Sequence, residues 1–278
     1  MTLPPWPPLP EGIDNAVLFL VLGSFGAVLL GVAKTGFGGS IGILTVPILI
    51  YACGGQAALA TGVTLPLLIA CDFVAVGCWW GKWDLRPVKL ILPGAVAGIA
   101  LGSILLWSFQ RLDIAGWQGM ADAALKLGIG LIALVFVALQ VTRALWKQKM
   151  AFRPMFWQGT CAGLMAGFAS TLAHAAGPIT TMYFLPQNMH KSRFVASASL
   201  YYWIGNALKV LPYLLLGMVR ASTLSASAML LPAVVAGALL GVFLHRRAGP
   251  KSFTAIVYSL LLLAGVHLCI KAIAVLSR

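Results

Sequence analysis

Long apolar stretches, separated by short polar or glycine-rich breaks, run along the whole chain. Ten such segments are found, at roughly 15–34, 39–52, 57–80, 88–109, 120–144, 155–173, 175–187, 193–217, 223–245 and 252–275. About 20 apolar residues in a helix cross a hydrocarbon layer of about 30 Å, so eight of the ten segments are long enough to span a membrane. Continuous apolar runs favour helices over the alternating pattern of a membrane β-barrel. The pattern therefore predicts an all-α polytopic membrane protein.

Two segments, 39–52 and 175–187, are shorter than the others. Each follows an interruption: GVAKTGFGGS at 31–40 precedes the first, and GFASTLAHAAGP at 167–178 precedes the second. Such interruptions predict a short broken or re-entrant helix in each half of the chain. The pattern leaves open whether these two segments cross the membrane fully or re-enter it.

The chain contains an internal repeat. LPGAVAGIALGSIL at 92–105 recurs as LPAVVAGALLGVFL at 231–244, with eight of fourteen positions identical and an offset of 139. The glycine breaks, Gly31 and Gly167, give a similar offset of 136. We therefore predict two transmembrane repeats of about five segments, at 1–144, which includes a Pro-rich N-terminal leader, and at 145–278. Chance matching of small residues in packed helices is the alternative.

Composition supports a membrane location. Hydrophobic residues make up 60% of the chain and charged residues 9%, with a mean hydropathy of +0.96, whereas a soluble domain carries about 25% charged residues. The five cysteines are scattered without a CxxC pair, which favours structural roles, and we predict no metal and no cofactor. No GxxxxGK[ST] motif is present, which argues against ATP hydrolysis by this chain.

Basic residues set the predicted orientation. Residues 123–278 hold fourteen of the nineteen Lys and Arg residues and no acidic residue. Two explanations fit this excess of basic residues: cytoplasmic loops or an electropositive path for anions. Nucleic-acid binding is not expected, because the chain has no long soluble basic patch. The leader has no Lys or Arg, so we place the N-terminus outside. An odd number of segments per repeat then inverts the second repeat relative to the first, as in many secondary transporters.

The helix breaks supply candidate anion-binding residues. Gly38, Gly39 and Ser40 open the first short segment, and Gly177 opens the second. The backbone N–H groups at the start of a helix attract anions, and glycine lets the backbone approach a ligand. Close helix packing by small residues is the alternative interpretation.

Two ionisable residues lie at the breaks. Lys34 is a functional candidate because it lies at membrane depth, although a lysine that reaches the interface from a helix end fits the sequence equally well. Its counterpart in the second repeat is near Ser170. His174 follows shortly after Ser170. The sequence fits two roles for it: a residue that binds or shuttles a proton, or a packing residue with a hydrogen bond.

Two apolar segments carry a polar face. Thr64 and Asp72 share one face of segment 57–80. Segment 193–217 has a continuous polar stripe at the helical spacing of three and four residues, which must face protein or a water-filled cavity and which consists of Ser199, Tyr202, Asn206, Lys209 and Tyr213.

Lys209 follows Asp72 by 137 residues, which is within the repeat offset. We therefore expect the two side chains to form or approach a charge pair at the interface of the repeats. The pair would serve either the structure or the coupling of transport.

Two sequence blocks resemble a known family. GFGGSIGILTVPILIY at 36–51, with ATGVTLPL at 60–67, and the block STLAHAAGPITTMYFLPQNMHKSRFVASASLYYWIGNALKVLPYLLLG at 170–217 look like the first-repeat and second-repeat signatures of the sulfite exporter TauE/SafE family. The likeness covers about 15–275. It points to Gly38, Gly39, Ser40, Pro47, His174, Gly177, Pro178 and the run from Ser197 to Asn206.

The resemblance implies an inner-membrane permease of bacteria or archaea for small sulfur-containing anions such as sulfite, organosulfonates or thiosulfate. We predict export of such an anion by alternating access across a bacterial inner membrane, with no enzymatic activity. Asp72 and His174 are the candidates for proton coupling. The predicted substrate-binding residues are Lys34, Gly38, Gly39, Ser40, Thr64, His174, Gly177, Ser199, Tyr202, Asn206 and Lys209.

A membrane-embedded enzyme fits the sequence less well than a transporter does, whereas two other kinds of anion transport protein fit it as well. A membrane-embedded enzyme needs a nucleophile, a base and an acid at one depth, and no acidic residue follows position 122 to orient His174. An anion channel and a carrier of a non-sulfur organic anion remain open. The sequence leaves the substrate, the direction of transport, the coupling ion and the oligomeric state undecided.

Overall fold

The computed structural model describes residues 13, 15–39, 45–114, 155–184 (the side chains of 112–114, 178 and 182 excepted), 187 and 189–247, with scattered positions in 121–142 and 262–274. All regular structure in these ranges is helical. The continuous helices are α1 (Ala16–Phe37), α2 (Thr45–Ala52), α3 (Ala57–Cys78), α4 (Leu85–Ile114), α5 (Phe156–Ala173), α6 (Ala176–Phe184), α7 (Lys191–Leu215) and α8 (Ala221–Arg247). The predicted all-helical architecture is confirmed for these residues.

Four helices of the described part are both long and apolar enough to cross a membrane. They are α1, α3, α8 and residues Leu85–Arg111 of α4. Helix α7 has 25 residues, but its polar residues lower its mean hydropathy, and α5 has only 18 residues. Helix α7 packs against α1, α3, α4 and α6, so it needs less lipid-compatible surface. The chain is a multi-pass membrane protein.

The N-terminal helix α1 packs along α8 with the two backbones in contact. Gly23 lies beside Leu230, and Gly36 lies beside Gly241. Residue numbers therefore increase in the same direction along both helices, so α1 and α8 are parallel. Thr35 strengthens this contact by donating its hydroxyl to the α8 carbonyl of Ala238 at 2.6 Å. Glycine at such positions allows the close approach common between membrane helices.

Helices α4 and α5 form a second parallel pair of the same kind. Gly159 lies beside Leu90, and Gly102 lies beside Thr171. The register matches that of the first pair, because Gly102 and Gly241 are separated by the repeat offset of 139 and each contacts a threonine of its partner helix. The first helix of each half thus packs against the fourth helix of the other half.

The remaining contacts sort the long helices into two groups. Helix α3 runs with α8, since Gly62 lies beside Met218 and the Trp79 ring lies 4.8 Å from that of His245. Helix α4 runs with α7, because Ser197 accepts a hydrogen bond from the Asp84 N–H and Gln110 donates one to Leu216.

The two groups point in opposite directions where they meet. On α3, Asp72 contacts Asn206 of α7, whereas Trp79 packs against Val195. Residue numbers therefore rise on α3 as they fall on α7. Helices α1, α3 and α8 point one way, and α4, α5 and α7 point the other way.

The two short helices begin within this bundle. Helix α2 has 8 residues and α6 has 9, so at 1.5 Å per residue each covers about 12–14 Å. Helix α2 starts beside the middle of α1, where the Thr45 hydroxyl donates to the Gly26 carbonyl at 3.4 Å. Both helices are too short to cross the layer alone.

A single methyl group at the α4–α5 contact is expected to destabilise the protein. In Gly163→Ala the new Cβ would lie 1.9 Å from the Ile91 carbonyl oxygen, so the two backbones must separate, at a cost of about 1–3 kcal/mol or more. In the matched control Gly77→Ala the Cβ meets nothing within 4 Å, and we expect no loss because alanine favours a helix. Thermal unfolding in detergent measures both variants. Equal unfolding temperatures for the two variants would contradict the close backbone contact.

Candidate functional site at the helix breaks

A small cavity lies where the two groups of helices meet. The space that the centre of a water molecule can occupy in this cavity is about 20 Å³, which is room for about one water. Helices α1, α2, α3, α5, α6 and α7 contribute to its wall, together with the segments that join α1 to α2 and α5 to α6. Seven predicted site residues line it: Lys34, Gly39, Thr64, His174, Gly177, Tyr202 and Asn206.

The helix breaks at the cavity have the same backbone geometry in both halves. Helix α1 ends at Gly38 with φ 64°, and α5 ends at His174 with φ 50°; these residues are 136 apart, which is the repeat offset. After each, a backbone N–H bonds six residues back, from Gly39 to Ala33 at 3.0 Å and from Ala175 to Ala169 at 3.3 Å. Each helix thus ends in a left-handed residue, a position that is usually occupied by glycine.

His174 is the only non-glycine residue with a positive φ in the described part of the chain. A side chain in this region costs about 1–3 kcal/mol and persists where its surroundings hold it. The His174 ring is held on both sides. Its Nε2 lies 2.9 Å from the Thr61 carbonyl oxygen, and its Nδ1 lies 3.1 Å from the Lys209 Nζ.

Lys34 and Asp72 form a buried ion pair between α1 and α3. Asp72 is fully buried and Lys34 is 5% exposed, so Lys34 does not extend to the membrane interface. Asn206 of α7 donates to the second carboxylate oxygen at 2.5 Å. The Lys34 ammonium also lies 5.1 Å from the centre of the Tyr202 ring.

Lys209 has different partners from those that the sequence predicts. Its Nζ donates to the Ser170 carbonyl at 3.2 Å and to the Ser170 hydroxyl at 2.9 Å, in addition to His174. Asp72 and Lys209 therefore form no direct ion pair, although they lie near enough to interact electrostatically. Ser170 is the repeat counterpart of Lys34, so Asp72 and Lys209 each bond to the end of the first helix of their own half.

The hydrogen bonds assign the proton on His174. A carbonyl oxygen only accepts, so Nε2 carries the hydrogen and donates it to Thr61. Nδ1 then accepts from Lys209. The Lys209 Nζ thus lies within hydrogen-bond distance of the Ser170 carbonyl, the Ser170 hydroxyl and His174 Nδ1, and the hydroxyl can accept from Nζ or donate to it.

Tyr202 joins three elements at the cavity. Its hydroxyl donates to the Gly38 carbonyl at 3.0 Å and is hydrogen bonded to the Thr180 hydroxyl of α6. Sequence reasoning did not select Thr180 or Ser170 for the site. The repeat offset from Lys34 singles out Ser170, whereas only the position of α6 identifies Thr180.

The remaining predicted residues have less direct places. Gly38 contacts the Phe194 ring and its carbonyl accepts from Tyr202. The Thr64 hydroxyl donates to Ala60 in its own helix at 2.6 Å. Ser199 is buried without a hydrogen-bond partner in the described part and does not line the cavity. Ser40 lies outside the described residues.

Substitution of His174 is expected to separate backbone strain from hydrogen bonding. His174→Asn keeps a residue type that tolerates the left-handed region and an acceptor for Lys209, so we expect a loss of about 1 kcal/mol. His174→Val places a β-branched residue at φ 50° and removes the acceptor, and we expect a loss of about 3 kcal/mol or more. Thermal unfolding measures both. Equal stabilities would show that neither the φ nor the bond to Lys209 is significant.

Comparisons with known proteins give one match. Neither a curated protein nor a solved structure matches the chain. The family model described as Sulfite exporter TauE/SafE matches residues 22–268, which include both helix breaks, the buried ion pair and Lys209. With nearly its whole length matched, the chain belongs to the sulfite exporter TauE/SafE family of membrane transporters.

Proposed function

We propose that the protein is a secondary transporter that moves a small sulfur-containing anion, such as sulfite or an organosulfonate, out of a bacterial cell across the inner membrane. Its family is one of sulfite exporters. The observation that carries the proposal for this chain is Lys209, a fully buried lysine whose hydrogen-bond partners, Ser170 and His174, are neutral and line the cavity.

A buried charge without a counter-charge is costly. Lys34 is neutralised by Asp72, but no carboxylate of the described residues forms an ion pair with Lys209. An anion in the adjoining cavity would supply the missing charge. The N-terminal residues of α6, Ala176 and Gly177, also line this cavity, and backbone N–H groups at a helix start favour an anion.

The helix directions support two inverted repeats, at 1–144 and 145–278. If the repeats correspond, α1, α3 and α4 match α5, α7 and α8. Each matched pair then has one member in each of the two oppositely directed groups. The offset of 136 between the helix ends Gly38 and His174 agrees with this correspondence. We place the N-terminus outside, as the distribution of basic residues indicates.

The two groups of helices suit alternating access. Contacts that join them at the cavity include Asn206 with Asp72, Tyr202 with Gly38 and His174 with Thr61. The cavity has room for about one water, so the groups must separate on one side before an anion enters. Movement of one group against the other would open the site to each side in turn.

Protons are the proposed coupling ion, with Asp72 and His174 as the groups that would carry them. Both contact the opposite helix group, at Asn206 and Thr61 respectively. Gain or loss of a proton would change these contacts and thus the relation of the two groups. The gradient of the anion itself is the alternative source of energy.

Transport by the purified protein in proteoliposomes tests the proposal. We expect saturable movement of labelled sulfite, sulfoacetate or thiosulfate, and accumulation against a gradient under an imposed pH step. If only a carboxylate such as acetate moves, the sulfur assignment is wrong. If flux does not saturate and never opposes a gradient, the protein is an anion channel.

A further inference from the structure

We propose that an apolar groove between α3, α7 and α8 binds one phospholipid, with an acyl chain in the groove and the phosphate at Arg220. The groove shares no lining residue with the cavity at the helix breaks. A lipid bound there would therefore be a ligand additional to the transported anion. The size, chemistry and depth of the groove, and the charge at its end, identify this ligand.

The groove is much larger than the cavity and is almost wholly apolar. The space that the centre of a water molecule can occupy is about 440 Å³ in the groove and about 20 Å³ in the cavity. All but one of its lining residues are apolar. The exception, Ser227, has its hydroxyl 2.8 Å from the carbonyl oxygens of Val63 and of Thr223, so it has no free hydrogen for a ligand. A molecule that fills this groove must be apolar along its length.

The groove covers the depth of one leaflet of a membrane. Along α8 it extends from Val219, just before the helix, to Leu231, near the middle of Ala221–Arg247. At 1.5 Å per residue this length is about 18 Å, and each leaflet contributes about 15 Å to the hydrocarbon layer. An acyl chain from the leaflet in which α8 begins thus matches the groove in length.

The groove is open at its rim and encloses its ligand on several sides. Phe73 of α3 is 61% exposed and Leu224 of α8 is 47% exposed, so a chain can enter between these helices. Val210 of α7 forms a further wall. A lipid on a flat helix face contacts the protein on one side only. The additional walls favour one lipid in the groove over those that cover the rest of the surface.

Arg220 lies at the end of the groove at which a phospholipid would have its phosphate. Val219 precedes it, and Leu224 follows one turn later and donates its N–H to the Arg220 carbonyl at 2.9 Å; both of these neighbours line the groove. The Arg220 guanidinium donates from Nε to the Gly217 carbonyl, and no carboxylate of the described residues forms an ion pair with it. The planar guanidinium group matches a phosphate in charge and in geometry.

Native mass spectrometry of the full chain in detergent, with added dioleoylphosphatidylglycerol, tests this site. The spectra count the bound lipids and give the affinity of each. We expect one lipid to bind at least about tenfold more tightly than any further lipid. Dioleoylglycerol has the same chains but no phosphate, and we expect it to bind at least about tenfold more weakly than the phospholipid.

Two variants test the two parts of the site. Arg220→Gln should lower the affinity for the phospholipid at least about tenfold but leave that for dioleoylglycerol unchanged. Ala228→Phe places a ring in the groove, because Ala228 lines it, and should lower the affinity for both lipids at least about tenfold. Arg247→Gln and Ala236→Phe are the matched controls, since both residues are exposed on α8 outside the groove. Neither control should change either affinity.

Several results would overturn the proposal. It is wrong if no lipid binds more tightly than the next, or if Ala228→Phe binds the phospholipid as wild type does. Unchanged preference for the phospholipid in Arg220→Gln would likewise show that Arg220 does not hold the phosphate. If wild type is a dimer and Ala228→Phe a monomer, the groove holds a second copy instead. Should Ala228→Phe not fold, the comparison of Arg220→Gln with Arg247→Gln decides.

Discussion

Asp72→Asn is expected to lower the free energy of unfolding by about 3–5 kcal/mol, because it leaves the Lys34 ammonium buried and without its counter-charge. Asp72 is 0% exposed and Lys34 5% exposed, so neither side chain reaches water without a change in structure. Asparagine keeps the size of the side chain and a group that can bond to Asn206. The loss therefore reports the ion pair rather than a cavity. Thermal unfolding in detergent measures it.

The double variant Lys34→Met/Asp72→Asn is the matched control for this prediction. It removes both charges while methionine fills most of the lysine volume, and replacement of a buried pair by residues of similar volume is often neutral or stabilising. We expect it to recover most of the lost stability. If it unfolds at the same temperature as Asp72→Asn, the effect of the single change comes from packing or from Asn206, not from an unpaired charge.

Lys209→Met is expected to reduce anion transport about 100-fold or more while the protein remains folded. In the proposed site an ammonium group at Lys209, without a carboxylate partner, would be the main attraction for an anion, and loss of about 3 kcal/mol of such attraction is a 100-fold change in affinity. Stability should fall by about 1–3 kcal/mol, because methionine leaves the Ser170 oxygens and His174 Nδ1 without their Lys209 partner. Initial rates in proteoliposomes, with thermal unfolding alongside, measure the two effects.

Lys191→Met provides the same substitution at the start of the same helix, away from the cavity. The Lys191 ammonium donates to the His245 carbonyl at 3.0 Å and does not line the site. We expect transport by this variant to stay within about twofold of wild type, since surface polar contacts of this kind contribute little. If both lysine variants lose transport equally, Lys209 has no special role in anion binding.

Much of the fold follows from the hydrophobic pattern alone. Each continuous helix lies within a few residues of an apolar segment, and the short segments became the short helices α2 and α6. The stripe on α7 is buried as its spacing predicts, from Ser199 to Tyr213. Periodicity predicts these features because the polar residues that a membrane helix buries recur in the sequence at intervals of three and four.

The pairing of the buried charges could not be predicted in the same way. Equal offsets make Asp72 and Lys209 counterparts, and we expected counterparts to meet at the interface. Instead each bonds to the end of the first helix of its own half, Asp72 to Lys34 and Lys209 to Ser170. The repeat offset identifies which residues of the two halves are counterparts, but it carries no information on the distances between them in the bundle. The contacts of Thr180 and Thr61 depend on helix placement for the same reason.

Because the two halves exchange helix partners, each half covers a helix face of the other. Helix α1 of the first half completes its surface on α8, and α5 of the second half completes its surface on α4, with glycine backbones in contact at both places. A half without its counterpart would expose these glycine faces to lipid, where they have little to pack against. The contact between α1 and α8 therefore forms only after α8 is synthesised, and until then the glycine face of α1 lacks its partner.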